Sequence, residues 1–571
     1  MNLQRIAILG GGPSGLFIFK RIVEAAPLNT EIEIFEKKQQ LGAGMPYSTD
    51  GASDEHITNV SGNELPDLEP TLSDWLKTVE PETLKRFNIN INTFSDYKVL
   101  PRLLFGEYLS YQFQLLEKKA KEAGIAVIIH RGTLITDIID DSANSNVHVV
   151  TNAHEHITFD YAVVCTGHNW PLKHEGRIKG YYDSPYPPSK LALTIDHPIA
   201  IRGSSLTAVD AVRTLARHNG EFIKDKEDKI SFKLADNNSK FRMIMHTRGG
   251  LLPAIRFHLE DTSLGKDTVL SHDAIEKNRA KNDGFLSLDF VFENQFKKPI
   301  EEKTPEFYDK IKDMQLEEFV AFIMNMREAV DPFDLFKGEY VEAEKSIKRK
   351  ESVYWKEMLA TLSFAMNYPA KYFSAEDMLR LQKTLQPLIS IVIAFVPQTS
   401  VKEMLALHNA GLLQLIPVGD ESYVEPIPEG GAIYHYTNEN NQQQSTHYNT
   451  YIDAVGQPHL NYTDLPYKSL IEKRTVSPAK IKFRNAEVAR REKEKGNKNV
   501  IIDERGSYLN VSGIAINDNF QVVDEYGASN ERIFMMAVPY MGGYNPDYSG
   551  LDFCEAASKM IIQSILKVEV D

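Results

Sequence analysis

The chain has 571 residues, 42% hydrophobic and 25% charged, with 64 basic against 79 acidic side chains and a net charge of −15. That length predicts two or three structural units rather than one small core, and the acidic balance argues against nucleic acid as the main partner. Cys165 and Cys554 are too few for a disulfide framework and fit a reduced, cytoplasmic setting, and no apolar run approaches the roughly 20 residues that cross a bilayer.

Residues 5–37 organise the rest. An apolar run at 6–9 reads as a buried strand, Gly10, Gly12 and Gly15 follow in G-x-G-x-x-G spacing, 16–25 has helical composition, and 32–35 is a second strand closed by Glu36. In such a unit Gly10 permits a tight turn, Gly12 lets the backbone approach a pyrophosphate, and Gly15 lets helix pack on strand. The helix start, with Pro13 and Ser14, presents free N–H groups and partial positive charge to phosphates. Glu36 stands where a carboxylate accepts from a ribose diol, with Lys37 beside it. A pyrophosphate and an adenosine ribose mean FAD rather than FMN.

In residues 41–48, Gly42 and Gly44 allow close backbone approach, and Met45, Pro46 and Tyr47 are expected to re-enter extended chain beside the same ligand. Residues 56–66 form a polar loop carrying Asn59, a further candidate contact, and Ser73 reads as a helix cap. Residues 99–124 are a long amphipathic helix with a glycine stop. Arg102, near its start, is either a surface charge or a cation near a flavin or an anionic substrate. Strands are expected at 125–130 and 147–151. Residues 159–167 place Asp160 before an apolar strand ending in Thr166 and Gly167, the strand expected to close the first nucleotide sheet. His168 follows; it is either an acid–base group or a hydrogen-bonding residue. Arg102 and His168 are the only catalytic candidates.

Residues 198–215 repeat the opening logic as G-x-S-x-x-A, with Gly203, Ser204, Ser205 and Thr207 as candidate contacts and Ala208 in the third glycine's place. The next strand, 241–246, is followed by Arg248 where a ribose-binding acid is usual. A guanidinium there suits a 2′-phosphate, hence NADPH over NADH; the alternative is a solvent-facing strand cap. From 264 to 386 charges are dense and helical periodicity appears at 304–329, 337–365 and 374–384. This reads as a helical insertion that covers or shapes a site, with Arg349, Lys350 and Trp355 as possible lining of an anionic pocket. Residues 388–396 have strand or buried-helix length. Residues 448–456, with Asp453 and Gly456, echo 159–167, and 472–498 read as a helix or mobile connection. Two strands and a closing helix end the chain, and the helix N-terminus at 549–552 is placed to face a flavin.

The fold class is α/β: two Rossmann-like dinucleotide-binding domains, for FAD and NAD(P), with a helical insertion. The FAD domain is read as 1–190 plus 500–571, the NAD(P) domain as 191–265 plus 390–480, and the insertion as 266–389.

GGGPSG with Glu36, GAGMPYS, PRLLFGEYL, FDYAVVCTGHNWP, GSSLTAVDA and TRGGLLP lie in the first 255 residues, and DPFDLF and YIDAVGQ lie further on. Together they resemble the bacterial FAD–NAD(P)-binding protein family, the YdhS-like flavoproteins. The resemblance implies FAD in the first domain and a second nucleotide fold similar to that of class B flavin monooxygenases and N-hydroxylases. It implies no substrate. Ala537 departs from it, replacing a glycine common before the flavin-facing loop. A redox-active cysteine pair, an H-E-x-x-H motif and a G-x-S-x-G elbow are all missing from the sequence. The expected function is an FAD-dependent oxidoreductase taking hydride from NAD(P)H, monooxygenase-like and acting on a small molecule. The second reading is a redox-sensing or non-catalytic flavoprotein binding module. No metal, nucleic-acid or membrane partner is expected.

Overall fold

The computed structural model describes residues 3–168, 170–259, 270–457, 459–546 and 550–567. Strand β1 (Gln4–Leu9), helix α1 (Pro13–Ala25) and strand β2 (Thr30–Glu36) form a βαβ unit with Ile6 beside Ile32 and Leu9 beside Phe35. Ile6 to Leu9 are wholly buried, as in a parallel strand covered on both faces. Strands β3 (Ile57–Ser61) and β4 (Val99–Pro101) make a short antiparallel pair that leads into α2 (Arg102–Glu122). Strand β5 (Ala126–Arg131) joins β2, and β6 (Tyr161–Val164) joins β1 on its other side.

The second unit contains β7 (Tyr181–Tyr182), β8 (Pro198–Arg202), α3 (Leu206–Asn219) and β9 (Arg242–Thr247). A helical middle follows, including α4 (Leu316–Glu328), α5 (Pro332–Arg349) and α6 (Tyr354–Ala365). The chain then returns as β10 (Leu413–Pro417) and β11 (Thr450–Asp453). After these come β12 (Pro478–Lys482), β13 (Val500–Asp503), β14 (Gly506–Ile514), β15 (Gln521–Val523), β16 (Ser529–Met535) and α7 (Leu551–Leu566).

Two sheets carry the fold. The first has strand order β15–β16–β6–β1–β2–β5, parallel except at its β15 edge. The second has order β7–β11–β8–β9–β10 and is parallel throughout. The α/β architecture with two parallel sheets and a helical middle is therefore the one the sequence predicts. The C-terminal strand β16 pairs with β6, Met535 beside Val164, and α7 lies against α1 through Lys20 and Glu555 at 3.1 Å. The chain leaves and re-enters the second unit at one place: the Val396 N–H donates to the Ala254 carbonyl at 3.0 Å. Among the described residues no helix is long and apolar enough to cross a membrane.

Two local expectations differ, and two more are met in part. Residues 45–47 form a turn, not extended chain, because Gly44 at φ +60° bends the backbone into them. The cap before Trp75 is Thr71, which accepts from the Asp74 N–H; Ser73 instead donates to Asp96 at 2.5 Å. Of the two readings of 388–396, the buried helix is the one that forms, as far as Val392, after which the chain breaks with Phe395 at φ +52°. Residues 472–498 hold the expected helix, at Ala486–Glu494, but before it a strand, β12, because Ala479, Ile481 and Phe483 alternate inward while the lysines between them face out.

Candidate functional site

The first fingerprint lies at the carboxyl end of β1. Gly10 has φ +117°, and a Cβ there would come 2.6 Å from the Cys165 carbonyl oxygen. A Cβ on Gly15 would overlap the Gly10 carbonyl oxygen, so helix and turn pack as closely as backbones allow. Gly12 is the N-cap of α1, and no side chain caps this end. Opposite it stands Gly44, whose Cα would be 3.2 Å from a Gly12 Cβ. Two bare backbones thus face each other beside uncapped N–H groups, a cradle that a side chain would fill. At the end of β2, the Glu36 carboxylate accepts from the Gly11 N–H at 2.8 Å and the Lys38 N–H at 2.9 Å. The acid is fixed over the turn with lone pairs to spare, and Lys37 is exposed. These groups fit a dinucleotide pyrophosphate and ribose. Tyr47 packs edge-on against Phe105 at 4.9 Å, and burial pushes its hydroxyl up to about 12.

The second fingerprint lies at the carboxyl end of β8. Gly203 has φ +106°, with the Ala454 carbonyl oxygen 2.8 Å from a Cβ placed there. Ser204 donates to the Leu251 carbonyl at 2.7 Å. Ser205 is the N-cap of α3, again without a side-chain cap bond, and Ala208 is buried against the strand. Gly456, after β11, closes over Thr207. Arg248 follows β9 with its side chain 76% exposed and Nη1 3.8 Å from Asp420. Its guanidinium is free to turn toward a ligand, and Asp420 is the acid it would leave. The sequence offered no sign of Asp420, which comes from the loop after β10.

Arg102 has a different partner from the one expected. Its Nη1 donates to Asp210 of α3 at 2.5 Å, and its Nε donates to the Ile57 carbonyl at 3.1 Å. The Tyr186 hydroxyl donates to the same Asp210 oxygen at 2.6 Å. Burial alone would raise the Asp210 carboxyl; the Arg102 charge beside it holds it below the usual range. His56, wholly buried, accepts from the Ser53 N–H and turns Nε2 to Thr214 at 3.1 Å. Burial lowers its pKa, so the ring is neutral. Asn59 contributes its carbonyl, which accepts from Arg256. The sequence signal for this cluster was slight: Asp210 and Thr214 share one face of a helix whose N-terminus drew the reading instead.

His168 meets Gln457 through Nδ1 and stacks on Trp170 with centroids 5.5 Å apart. Burial lowers its pKa, which fits a neutral imidazole that orients the amide. The two strand-end motifs, C-T-G-H and A-V-G-Q, thus touch each other between the units, Thr166 and Gly167 leading into the contact. Asn169 and Ser549 lie outside the described residues, so the expected helix start at 549–552 is seen only from its N-cap Gly550. Cys165 and Cys554 are both free and buried; burial pushes Cys554 up to about 12 and Cys165 well above the ordinary thiol value. In the helical middle, Tyr368 is held at φ +75°, its N–H donating to Asn545 of the loop before α7 at 3.0 Å. A cavity of 410 Å³ on α5 is lined by Lys345 and Arg349, with Glu342 and Glu351 beside them; Lys350 and Trp355 are not among its lining residues.

Residues 7–169 match the FAD-NAD(P)-binding family, and residues 271–393 match the YdhS-like middle domain. The uncharacterized protein YdhS of Escherichia coli (strain K12) is 29% identical over 478 residues, spanning 82% of this chain and 86% of that protein. Among solved structures, the chain is similar to FAD-bound DfoA, the cadaverine monooxygenase of desferrioxamine biosynthesis from Erwinia amylovora. Identity is 11% and the TM-score 0.47, over 100% of this chain and 96% of that one. It is also similar to a mutant cyclohexanone monooxygenase from Rhodococcus sp. Phi1 bound to NADP+, at 10% identity and a TM-score of 0.44, over 99% of this chain and 85% of the other. The resemblance read from the sequence is borne out by the family matches: an FAD-NAD(P)-binding domain is followed by a YdhS-like middle domain.

Proposed function

We propose that this YdhS-like protein is an FAD-dependent oxidoreductase that takes hydride from NADPH and delivers the electrons to a small molecule or to oxygen. One observation carries the reading. Each parallel sheet ends in a positive-φ glycine followed by a helix whose N-terminus no side chain caps. Two such ends in one chain are two anion sites.

In this reading the backbones of Gly10, Gly12, Ser14 and Gly15 hold the FAD pyrophosphate, and Glu36 holds its adenosine ribose. Met45, Pro46, Tyr47 and Asn59 line the path toward the ring. Gly203, Ser204, Ser205 and Thr207 receive the second pyrophosphate, and Arg248 reads the 2′-phosphate. FAD supplies two-electron chemistry when bound. The chain's part is to bind and align two nucleotides and to exclude water between them. The neutral His168 keeps Gln457 oriented at the junction and adds no charge there. The deeply buried, high-pKa thiols are poor nucleophiles, which disfavours dithiol chemistry. The domains proposed are 1–190 plus 500–571 for FAD, 191–265 plus 390–480 for NADPH, and 266–389 as the helical middle, with two exceptions at their borders: β7 pairs in the second sheet, and Val500, Leu509 and Val511 pack into the core of the helical middle.

Purified protein should be yellow and release FAD, not FMN, on denaturation. Anaerobic NADPH should bleach the flavin within seconds to minutes. Gly12→Val, which fills the gap opposite Gly44, should emerge without flavin yet folded. Finding FMN, or no flavin after reconstitution, contradicts the first half of the proposal. A flavin that neither NADPH nor NADH bleaches contradicts the second half and favours a sensing or binding module.

A further inference from the structure

The segment that follows the 41–48 loop is gripped by the second nucleotide unit from two sides. On one side is Asp210, one turn into α3 and 4% exposed. It takes the Arg102 guanidinium at 2.5 Å and the Tyr186 hydroxyl at 2.6 Å. Arg102 is anchored to the segment itself: its backbone N–H donates to the His56 carbonyl at 2.8 Å and its Nε to the Ile57 carbonyl at 3.1 Å. A turn further along α3, Thr214 accepts from His56 Nε2 at 3.1 Å and donates to Glu55 at 2.7 Å. On the other side is Arg256, 3% exposed, in the chain leaving β9. It donates to Ser61 Oγ at 2.7 Å, to the Asn59 carbonyl and to Glu64.

Such an interface is an expensive way to join two bodies. A buried charge costs several kcal/mol unless fully paired, and apolar packing would hold the units together as well. What directional bonds add is register. Asp210 is fixed on the helix whose N-terminus is the second anion site, and its partner Arg102 is bonded to the segment that runs from the first site's loop, while Tyr186, from the second unit's own chain between β7 and β8, holds the carboxylate in place. Any slide or rotation of α3 across β3 breaks the Arg102–Asp210 bond and the Thr214 bonds together, and the Arg256 bonds fix the same register from the chain after β9.

We infer that Asp210 is a positioning residue: through Arg102, with its carboxylate steadied by Tyr186, it locks the second phosphate-binding helix onto the flavin-side strand β3, so that both nucleotides are presented to each other in one arrangement. This rests on the two-nucleotide reading above. Asp210 touches no reacting atom in this role. It acts through the placement of α3, and its loss should lower the rate of electron transfer without weakening nucleotide affinity.

The test uses FAD-loaded full-length protein in anaerobic stopped-flow reduction by NADPH. The variants are Asp210→Asn, the double variant Asp210→Asn with Arg102→Gln, Tyr186→Phe and Asp210→Glu. The limiting rate per bound flavin should fall about tenfold or more in the first two and about threefold in Tyr186→Phe, as expected for small misplacement of reacting partners. Half-saturation by NADPH should stay within about twofold, and Asp210→Glu should recover part of the rate. The double variant removes both charges, and Tyr186→Phe leaves the ion pair intact, so a folding failure of Asp210→Asn does not end the test. A lower melting temperature or FAD content with an unchanged rate per bound flavin is what a merely structural ion pair gives, and it overturns the inference.

Hydrogen exchange separates the clamp from the chemistry. Residues 57–61 and 206–214 should exchange about tenfold faster in Asp210→Asn than in wild type. Unchanged exchange at both segments refutes the clamp. Should neither NADPH nor NADH reduce the wild-type flavin, the oxidoreductase reading and the positioning role both fall, and exchange alone reports whether the clamp exists.

Discussion

His246 closes β9 with its ring stacked on Tyr434, centroids 4.1 Å apart. Its Nδ1 lies 3.1 Å from the Ile244 carbonyl and its Nε2 3.3 Å from the Tyr448 hydroxyl. Those partners fit the neutral ring: Nδ1–H donates to the carbonyl and Nε2 accepts from the phenol. Protonation would place a charge in a site that is 1% exposed, with no acid among these partners to offset it. Burial accordingly lowers the pKa to about 4, from an ordinary 6.5. A folded value below the unfolded one gives stability that is whole above the unfolded pKa and is lost as pH falls toward the folded one. The loss should reach about 2 kcal/mol by pH 5 and about 3 kcal/mol in full. The unfolding free energies of wild type and His246→Phe, from urea titrations, should therefore converge by about 2 kcal/mol between pH 8 and pH 5; parallel pH curves would show that His246 does not titrate in this window. Arg248 makes the second residue-scale prediction. A charge-assisted bond to a 2′-phosphate contributes about 1.5–3 kcal/mol, of which detachment from exposed Asp420 takes back little, since surface pairs are worth under about 1 kcal/mol. NADPH should thus half-saturate at roughly tenfold lower concentration than NADH. Arg248→Ala should erase most of that difference at unchanged FAD content; a wild type that uses both nucleotides equally would remove Arg248 from the reading.

Elements were legible in the sequence where one periodicity dominated. The strand–glycine–helix–strand run of residues 4–36 announced itself, because a parallel strand buried on both faces must be continuously apolar and the close turn must be glycine. The second unit was legible by the same physics with Ala208 in the third glycine's place. Strand β12 was not legible, because its outward lysines gave the segment the composition of a solvated helix while only three alternate positions faced the core. The antiparallel meander over residues 135–159 was only partly seen, since short strands of mixed polarity carry little signal. The clamp around Asp210 escaped for a different reason. Ion pairs such as Arg102 with Asp210 join residues 108 apart, and no local pattern encodes which distant acid a buried arginine will meet. The first-site backbone is therefore readable from one stretch, whereas what aligns the two sites is a property of tertiary structure.

At the scale of the whole molecule, the helical middle is less separate than its place in the chain implies. Residues 255 and 396 are bridged, so the segment between them looks excisable. Its core tells otherwise. Leu286, Phe296, Phe319, Leu359 and Leu388 share one buried cluster with Ile481, Phe483, Val500, Leu509 and Val511, which belong to the sheet β12–β14–β13 and to the turn beside it. Burying an aliphatic or aromatic side chain is worth about 1.5–3 kcal/mol, so those five contribute roughly 7–15 kcal/mol as an upper bound. A domain's entire net stability is about 5–15 kcal/mol. The helical middle alone should thus lack the free energy to order itself, and residues 476–514 should behave as part of it. A polypeptide of residues 270–396 should show no cooperative unfolding transition in urea. The same polypeptide joined by a flexible linker to residues 476–514 should show one, with the near-ultraviolet signal of ordered aromatics. If the shorter polypeptide unfolds cooperatively at the midpoint of the longer one, the helices close their own core, and the C-terminal sheet merely rests upon it.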